Sequence, residues 1–132
     1  MQGFDFVHRE HVRFRDLDAM GHVNNAVFAT YVEQARIEYL RFLGVLDGPL
    51  YMGMILARLE LDFLAPGRPE GEIEIGVRPS RSGIKSFALE YELEQDGQTI
   101  GRATTVLVAY DYEQARSVPL PDTWRDLLAV PA

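Results

Sequence analysis

The chain contains no cysteine, which excludes disulfides, thiolate metal sites and a cysteine nucleophile. That absence is compatible with a reducing cytoplasm, and a cytoplasmic location is the expectation. No apolar run approaches the ~20 residues that a membrane span needs. No basic, apolar, small-residue leader opens the sequence either. Positive charge is scarce: 13 Lys and Arg stand against 20 Asp and Glu, a net charge of -7. Nucleic-acid binders draw much of their affinity from basic contacts to phosphate, so no nucleic-acid partner is expected. An anionic ligand would have to be met by local Arg and Lys, against the global field. Repeats, low-complexity tracts and linkers are also missing. The 132 residues read as a single domain, 1–132, with a core that needs no staples.

What is present is strongly patterned. Val12 and Phe14 alternate with His11, Arg13 and Arg15, so residues 6–15 read as a strand. A loop follows with two acids, a Gly, a His and two Asn. From about Asn24 to Leu43 the apolar positions Val27, Tyr31, Ala35 and Tyr39 recur every four residues, widened by Phe28, Val32, Phe42 and Leu43. Asn24 or Asn25 suits the cap of this helix, and Gly44 suits its stop.

The remainder alternates with period two. Ile55, Ala57, Leu59, Leu61 and Phe63 point one way, with Arg58, Glu60 and Asp62 opposite. Pro66 to Gly71 is a break. Ile73, Ile75 and Val77 mark a strand ended by Pro79, and Phe87, Leu89, Tyr91 and Leu93 mark another. Gln95-Asp96-Gly97-Gln98 signals a hairpin. Residues 99–112 are nearly apolar on both faces, which predicts a central strand. Trp124 to Leu128 suggest a terminal helical turn. One helix covers one face of such a sheet, so a large bare apolar face and a homo-oligomer are expected.

The loop before the helix carries the chemistry. A helix N-terminus presents unpaired N–H groups and partial positive charge, which suits a developing oxyanion, and an acid just upstream supplies a base or nucleophile. This pairing suggests acyl transfer.

Asp16-Leu17-Asp18-Ala19-Met20-Gly21-His22-Val23-Asn24-Asn25, with Tyr31, Glu33, Ala35 and Arg36, resembles the 4-hydroxybenzoyl-CoA thioesterase-like family of hotdog-fold proteins. Leu59 to Pro66 and Lys85-Ser86-Phe87 are similar too, so the likeness spans nearly the whole chain. The resemblance implies an α+β hotdog fold, a long antiparallel sheet wrapped around one central helix. It also implies homodimers joined edge to edge, often paired into homotetramers. By the same resemblance the activity is acyl-CoA thioester hydrolysis, and no cofactor is implied, coenzyme A being part of the substrate.

Asp18 matches the family's catalytic carboxylate, acting as nucleophile or general base; the alternative is an Asx-turn or capping acid. Asp16 is expected to hold the loop, sharing Asp18's side if the chain is extended there. Asn25 matches the oxyanion donor through its backbone N–H, Asn24 a cap or loop brace with a possible hold on the attacking water, and Gly21 a tight turn or close ligand approach. His22 fits acid–base work or a backbone-bonded loop His. Glu33 stands where another hotdog branch has its catalytic acid, though an ion pair with Arg36 three residues on is the preferred account. Lys85, Ser86 and Phe87 match the segment for the nucleotide end of coenzyme A, joined by Arg81 and Gly83; a solvated strand start is the alternative. No metal site is expected, since His8 and His11 face opposite sides of a strand. The rival functions are an enoyl-thioester hydratase or dehydratase and a non-catalytic acyl-CoA binding module.

Overall fold

Alternation and turn chemistry translate into an antiparallel sheet laid around one helix. The computed structural model describes residues 1–46 and 53–129. Strand β1 spans Phe6–His11 and a 3-10 turn spans Phe14–Asp16. Helix α1 then runs Asn25–Leu43, followed by β2 (Met54–Phe63), β3 (Glu72–Ser82), β4 (Ser86–Gln95) and β5 (Gln98–Asp111). A two-residue β6 (Arg116–Ser117) pairs with β5, and α2 covers Asp122–Leu127. The long strands lie in the order β1-β3-β4-β5-β2, every pairing antiparallel.

Asp96 and Gly97 both take positive φ, 51° and 79°, the two left-handed positions of a type I′ turn joining β4 to β5. The central β5 is flanked by β4 and β2, as its two apolar faces predict. Asn24 caps α1, its side chain accepting from the Ala26 N–H at 2.8 Å. Gly44 ends the helix at φ 86°, a left-handed conformation that costs other L-residues roughly 1–2 kcal/mol.

Registered neighbours share a face. The inner face carries Ile73, Ile75 and Val77, then Phe87, Leu89, Tyr91 and Leu93, then Ala103, Thr105, Leu107 and Ala109. These close on Phe28, Tyr31, Val32, Ala35 and Tyr39 of α1 to form the core. The backbone of α1 lies nearest β1 and β3, so β2 is the thinly covered side.

Four expectations change. The first strand stops at His11, because the Asp16 carboxylate accepts from the Arg13 N–H and the Asp16 N–H returns to the Arg13 carbonyl, turning the chain. Phe14 consequently projects into solvent, 92% exposed. Strand β3 continues past Pro79 to Ser82 through a bulge. Pro79 lies beyond the end of β1, where β3 has no second neighbour to want its missing N–H. In β2 a bulge at Ala57 resets the alternation: Ile55 pairs with outer-face Val108, whereas Leu56, Leu59 and Leu61 pair with inner-face residues. Finally, the bare apolar surface is not the outer face of the sheet. That face carries the ion pairs Arg9–Glu74, Arg78–Glu90 and Arg102–Glu92. Among the described residues, five of the eleven exposed large apolar side chains, Ile55, Leu56, Leu59, Phe63 and Leu64, lie on or just after the edge strand β2.

Candidate active site

Between β1 and α1 the chain folds into a miniature hairpin. Its rungs are the Asn24 N–H to the Asp16 carbonyl at 2.9 Å and the Asp18 N–H to the His22 carbonyl at 2.7 Å, with Leu17 and Val23 bridged between them. Asp18 to Gly21 form the tip: the Gly21 N–H reaches the Asp18 carbonyl at 3.0 Å, with Gly21 at φ 78°. Beyond its chain neighbours no protein atom stands within 4 Å of where a Gly21 Cβ would sit, so within the protein it is the positive φ of the turn that asks for glycine.

Asp18 is the pivot of this tip. Its Oδ1 accepts from the Met20 N–H at 2.9 Å and the His22 N–H at 3.2 Å, an Asx turn with a second donor. Among the described residues its Oδ2 has no protein partner. The Asx-turn and reactive-carboxylate readings are therefore not exclusive: one oxygen fixes the side chain and leaves the other available.

The first turn of α1 supplies the complement. Ala26 N–H is taken by the Asn24 side chain, while Val27 and Phe28 N–H groups return to the Asn24 carbonyl at 2.9 and 3.3 Å. Among the described residues the Asn25 N–H finds no acceptor. Asp18, His22 and Asn25 line one cleft of about 370 Å³. Met20, Val23, Phe28, Phe63, Leu64 and Pro66 form its apolar wall, with the Phe28 and Phe63 rings edge to face, 5.3 Å between centroids. The loop after β2 secures this wall: the Val23 N–H donates to the Gly67 carbonyl at 2.8 Å, and a Cβ on Gly67 would stand 2.8 Å from Val23 Cγ2.

Asp16 is turned away from Asp18. It is buried, accepts from the Tyr31 hydroxyl at 2.6 Å, and faces a separate cleft with His8, Glu10 and Arg13. Burial alone would raise its carboxyl; the Tyr31 and Arg13 hydrogen bonds and the charges of Arg13 and Arg15 outweigh that and hold it below its ordinary value. The shared side expected for Asp16 and Asp18 is thus corrected, because the 3-10 turn breaks the extended chain between β1 and the hairpin.

Glu33 is not beside Asp18. Its carboxylate lies 3.7 Å from Arg36 and lines a different cavity with Ile37, Leu40 and Met54. The surprise is Arg36, whose side chain is only 9% exposed and packs by Tyr91. Burial raises the Tyr91 hydroxyl, against Arg36 and the 2.7 Å bond with Thr105. Its position was legible: Arg36 follows Val32 by four and Phe28 by eight, on the buried stripe.

The Arg81–Phe87 segment is also corrected in part. Phe87 is a core residue on the inner face, 1% exposed, so its ring is not free to meet a ligand. Arg81 and Lys85 are exposed, and the turn between them is braced by Arg125 of α2, which donates to the Gly83 and Ile84 carbonyls, both at 3.1 Å. Ser86 pairs with Val108, whereas the Asp18 cleft abuts Phe63, registered with Gly101. Those points on β5 are seven residues apart, about 23 Å. Within one chain the two groups are not brought together. His8 and His11 take opposite faces, registered with Ile75 and Glu72.

Comparison with known proteins converges on one family. The model of the Thioesterase-like superfamily matches residues 12–128. A thioesterase from Thermus thermophilus, solved with coenzyme A and zinc, superimposes with TM-score 0.85 at 36% identity, covering 97% of this chain and 100% of that one. A thioesterase-superfamily structure from Jannaschia gives TM-score 0.88 at 26% identity over 100% and 99%. A 1,4-dihydroxy-2-naphthoyl-CoA hydrolase from Synechococcus elongatus is 23% identical over 97% of this chain and 98% of its own.

Proposed function

The chain belongs to the thioesterase-like superfamily and is a thioester hydrolase of the hotdog fold; on that premise we propose how it works. The substrate is an acyl-CoA, hydrolysed to the free acid and coenzyme A. The thioester carbonyl accepts a hydrogen bond from the Asn25 N–H, backed by the positive end of α1. Asp18 Oδ2 attacks the carbonyl carbon, or takes a proton from a water that does. In the first route the C–S bond breaks, coenzyme A leaves as thiolate, and water then opens the anhydride. In the second, water's oxygen joins the acyl carbon as the thiolate departs and accepts the proton. One observation carries this reading: among the described residues, Asp18, with one carboxylate oxygen lacking a protein partner, and Asn25, with an N–H lacking an acceptor, line one apolar-walled cleft.

A second copy completes the site in this proposal. The free edge of β2 exposes apolar side chains and has no Pro or Lys, its charges being Arg58, Glu60 and Asp62 beyond the Ala57 bulge. Antiparallel pairing of two β2 edges sets the Phe63 end of one chain beside the Met54 end of the other. That end adjoins the other copy's Arg81–Ser86 turn, which would meet the phosphates of coenzyme A. A homodimer follows, and pairing of dimers would give the tetramer.

A thiol-release assay over short, medium, long and aromatic acyl-CoAs tests the activity. Asp18→Asn should lose about 10³-fold in kcat while melting with the wild type. Near-wild-type turnover by that variant would overturn the role of Asp18. Loss of the enoyl absorbance band without thiol release would point to a hydratase.

A further inference from the structure

Asp16 and Tyr31 form the tightest polar contact near the reactive loop, yet neither lines the cleft that holds Asp18. Tyr31 lies six residues after Asn25, about 240° around the helix, and faces the second cleft with His8, Glu10, Arg13 and Thr30. Both residues are buried, Tyr31 at 2% exposure and Asp16 at 7%. A buried carboxylate bonded to a buried phenol is weak evidence for stability, because an apolar pair of similar shape often serves as well. What such a pair adds is a single fixed geometry.

That geometry leads to both groups assigned to the reaction. The Asp16 carboxylate grips the second turn of α1 through Tyr31, at 2.6 Å, and the start of its own turn through the Arg13 N–H, at 3.0 Å. The Asp16 carbonyl takes the N–H of Asn24, the residue that caps α1 and precedes Asn25. Two residues on, Asp18 is locked at the tip of the same hairpin. We propose that Tyr31 and Asp16 are positioning residues: their hydrogen bond registers the Asp18 hairpin on α1, so that Oδ2 and the Asn25 N–H address the same carbonyl. This rests on the roles given above to Asp18 and Asn25. A displacement of about 1 Å at such a site costs on the order of 100-fold in rate, far more than the bond contributes to folding. Burial and the Asp16 charge both raise the Tyr31 hydroxyl, so it stays a donor across the working pH range.

Tyr31→Phe in the full chain removes one hydroxyl and keeps the ring. We expect kcat for acyl-CoA hydrolysis to fall about 10- to 100-fold with KM within twofold. The Met20 and His22 amides should exchange with solvent at least about tenfold faster while amides of β4 and β5 keep their protection. Asp16→Asn, whose carboxamide oxygen still accepts from Tyr31, should retain more of kcat than Asp16→Ala, and this comparison stands in if Tyr31→Phe does not fold. Wild-type kcat in Tyr31→Phe overturns the proposal, as does unchanged exchange at Met20 and His22. A uniform rise in exchange with kcat per folded molecule preserved would mark a merely structural bond and also overturns it. If the wild type releases no thiol from any acyl-CoA, the functional reading fails, and the exchange comparison still decides whether the pair positions the hairpin.

Discussion

At the scale of single residues, the proposed site divides labour between side chains and backbone. Asp18 is assigned a side chain that its own loop half-occupies, whereas Asn25 is assigned a backbone N–H, so truncating its side chain is the wrong test. Asn25→Ala should keep kcat within a few-fold. Asn25→Pro should cost about 3 kcal/mol of transition-state stabilisation, roughly 100-fold in kcat. Proline fits the first helical position, and Asn24 is already extended at φ -61°, ψ 140°, as a residue before proline requires. Asn24→Ala should lower unfolding free energy by about 1 kcal/mol in urea titration, the usual worth of a side-chain cap. The Asp16–Tyr31 pair sets a pH window. The Asp16 pKa is depressed on folding, so its contribution is complete above the unfolded carboxyl range and lost as pH falls through the folded value. Tyr31 is raised, so its contribution is complete below about pH 10 and lost as pH rises through the folded value. This pair should therefore lower stability below about pH 5 and above about pH 9, with Tyr31→Phe making the alkaline limb shallower in melting experiments while the raised Tyr39 and Tyr91 hydroxyls keep part of it. The acids and amides here were legible as residue types. The Tyr31 partner was not, because a tyrosine on an apolar stripe reads as core whether or not its hydroxyl has an acceptor fifteen residues away.

At the scale of elements, α1, β4 and β5 form where period and punctuation place them, since each is long and its stop signals are local. The departures come as bulges. Each lets one strand carry an extra residue, within β3 between Pro79 and Arg81, in β5 at Ile100 and in β2 at Ala57, and only at Ala57 does it overturn an expected face. The result moves Ile55 to the outer face, which strict alternation could not foresee. The loop after β2 shows how closely elements are fitted around the cleft. Gly67→Ala places a methyl against Val23, one residue before the cap of α1. We expect a loss of about 1–3 kcal/mol by denaturant titration, the usual cost of overpacking, together with reduced kcat. Retained stability and kcat would show that the loop can yield without moving Val23.

At the scale of the whole molecule, one chain leaves the two proposed ends of its site apart. The Asp18 cleft and the Arg81–Lys85 turn sit at opposite ends of the sheet, and the edge strand between them is the surface that a second copy would cover. Leu59→Lys puts a charge on the exposed apolar edge of β2 while remaining soluble in the free chain. Sedimentation should show this variant as a monomer where the wild type is a dimer, and thiol release should fall with it. A dimeric Leu59→Lys would place the interface elsewhere. The Arg–Glu pairs of the outer face are exposed, and single exposed pairs contribute little, so high salt should alter melting only slightly.

The sequence by itself determined whatever depends on near neighbours along the chain: the helix with its Asn24 cap and Gly44 stop, the Asp96-Gly97 hairpin, the central strand, and the acid-rich loop ahead of a helix N-terminus. Each is set by backbone preference or by hydrophobic period over a few residues. Only the tertiary structure decided the rest. It turned Asp16 onto Tyr31 and left Asp18 in the cleft, closed Phe87 into the core, and exposed one edge of the sheet instead of one face. Those outcomes depend on which distant surfaces meet, and a one-residue shift of register or a single 3-10 turn is enough to redirect a side chain to the other side.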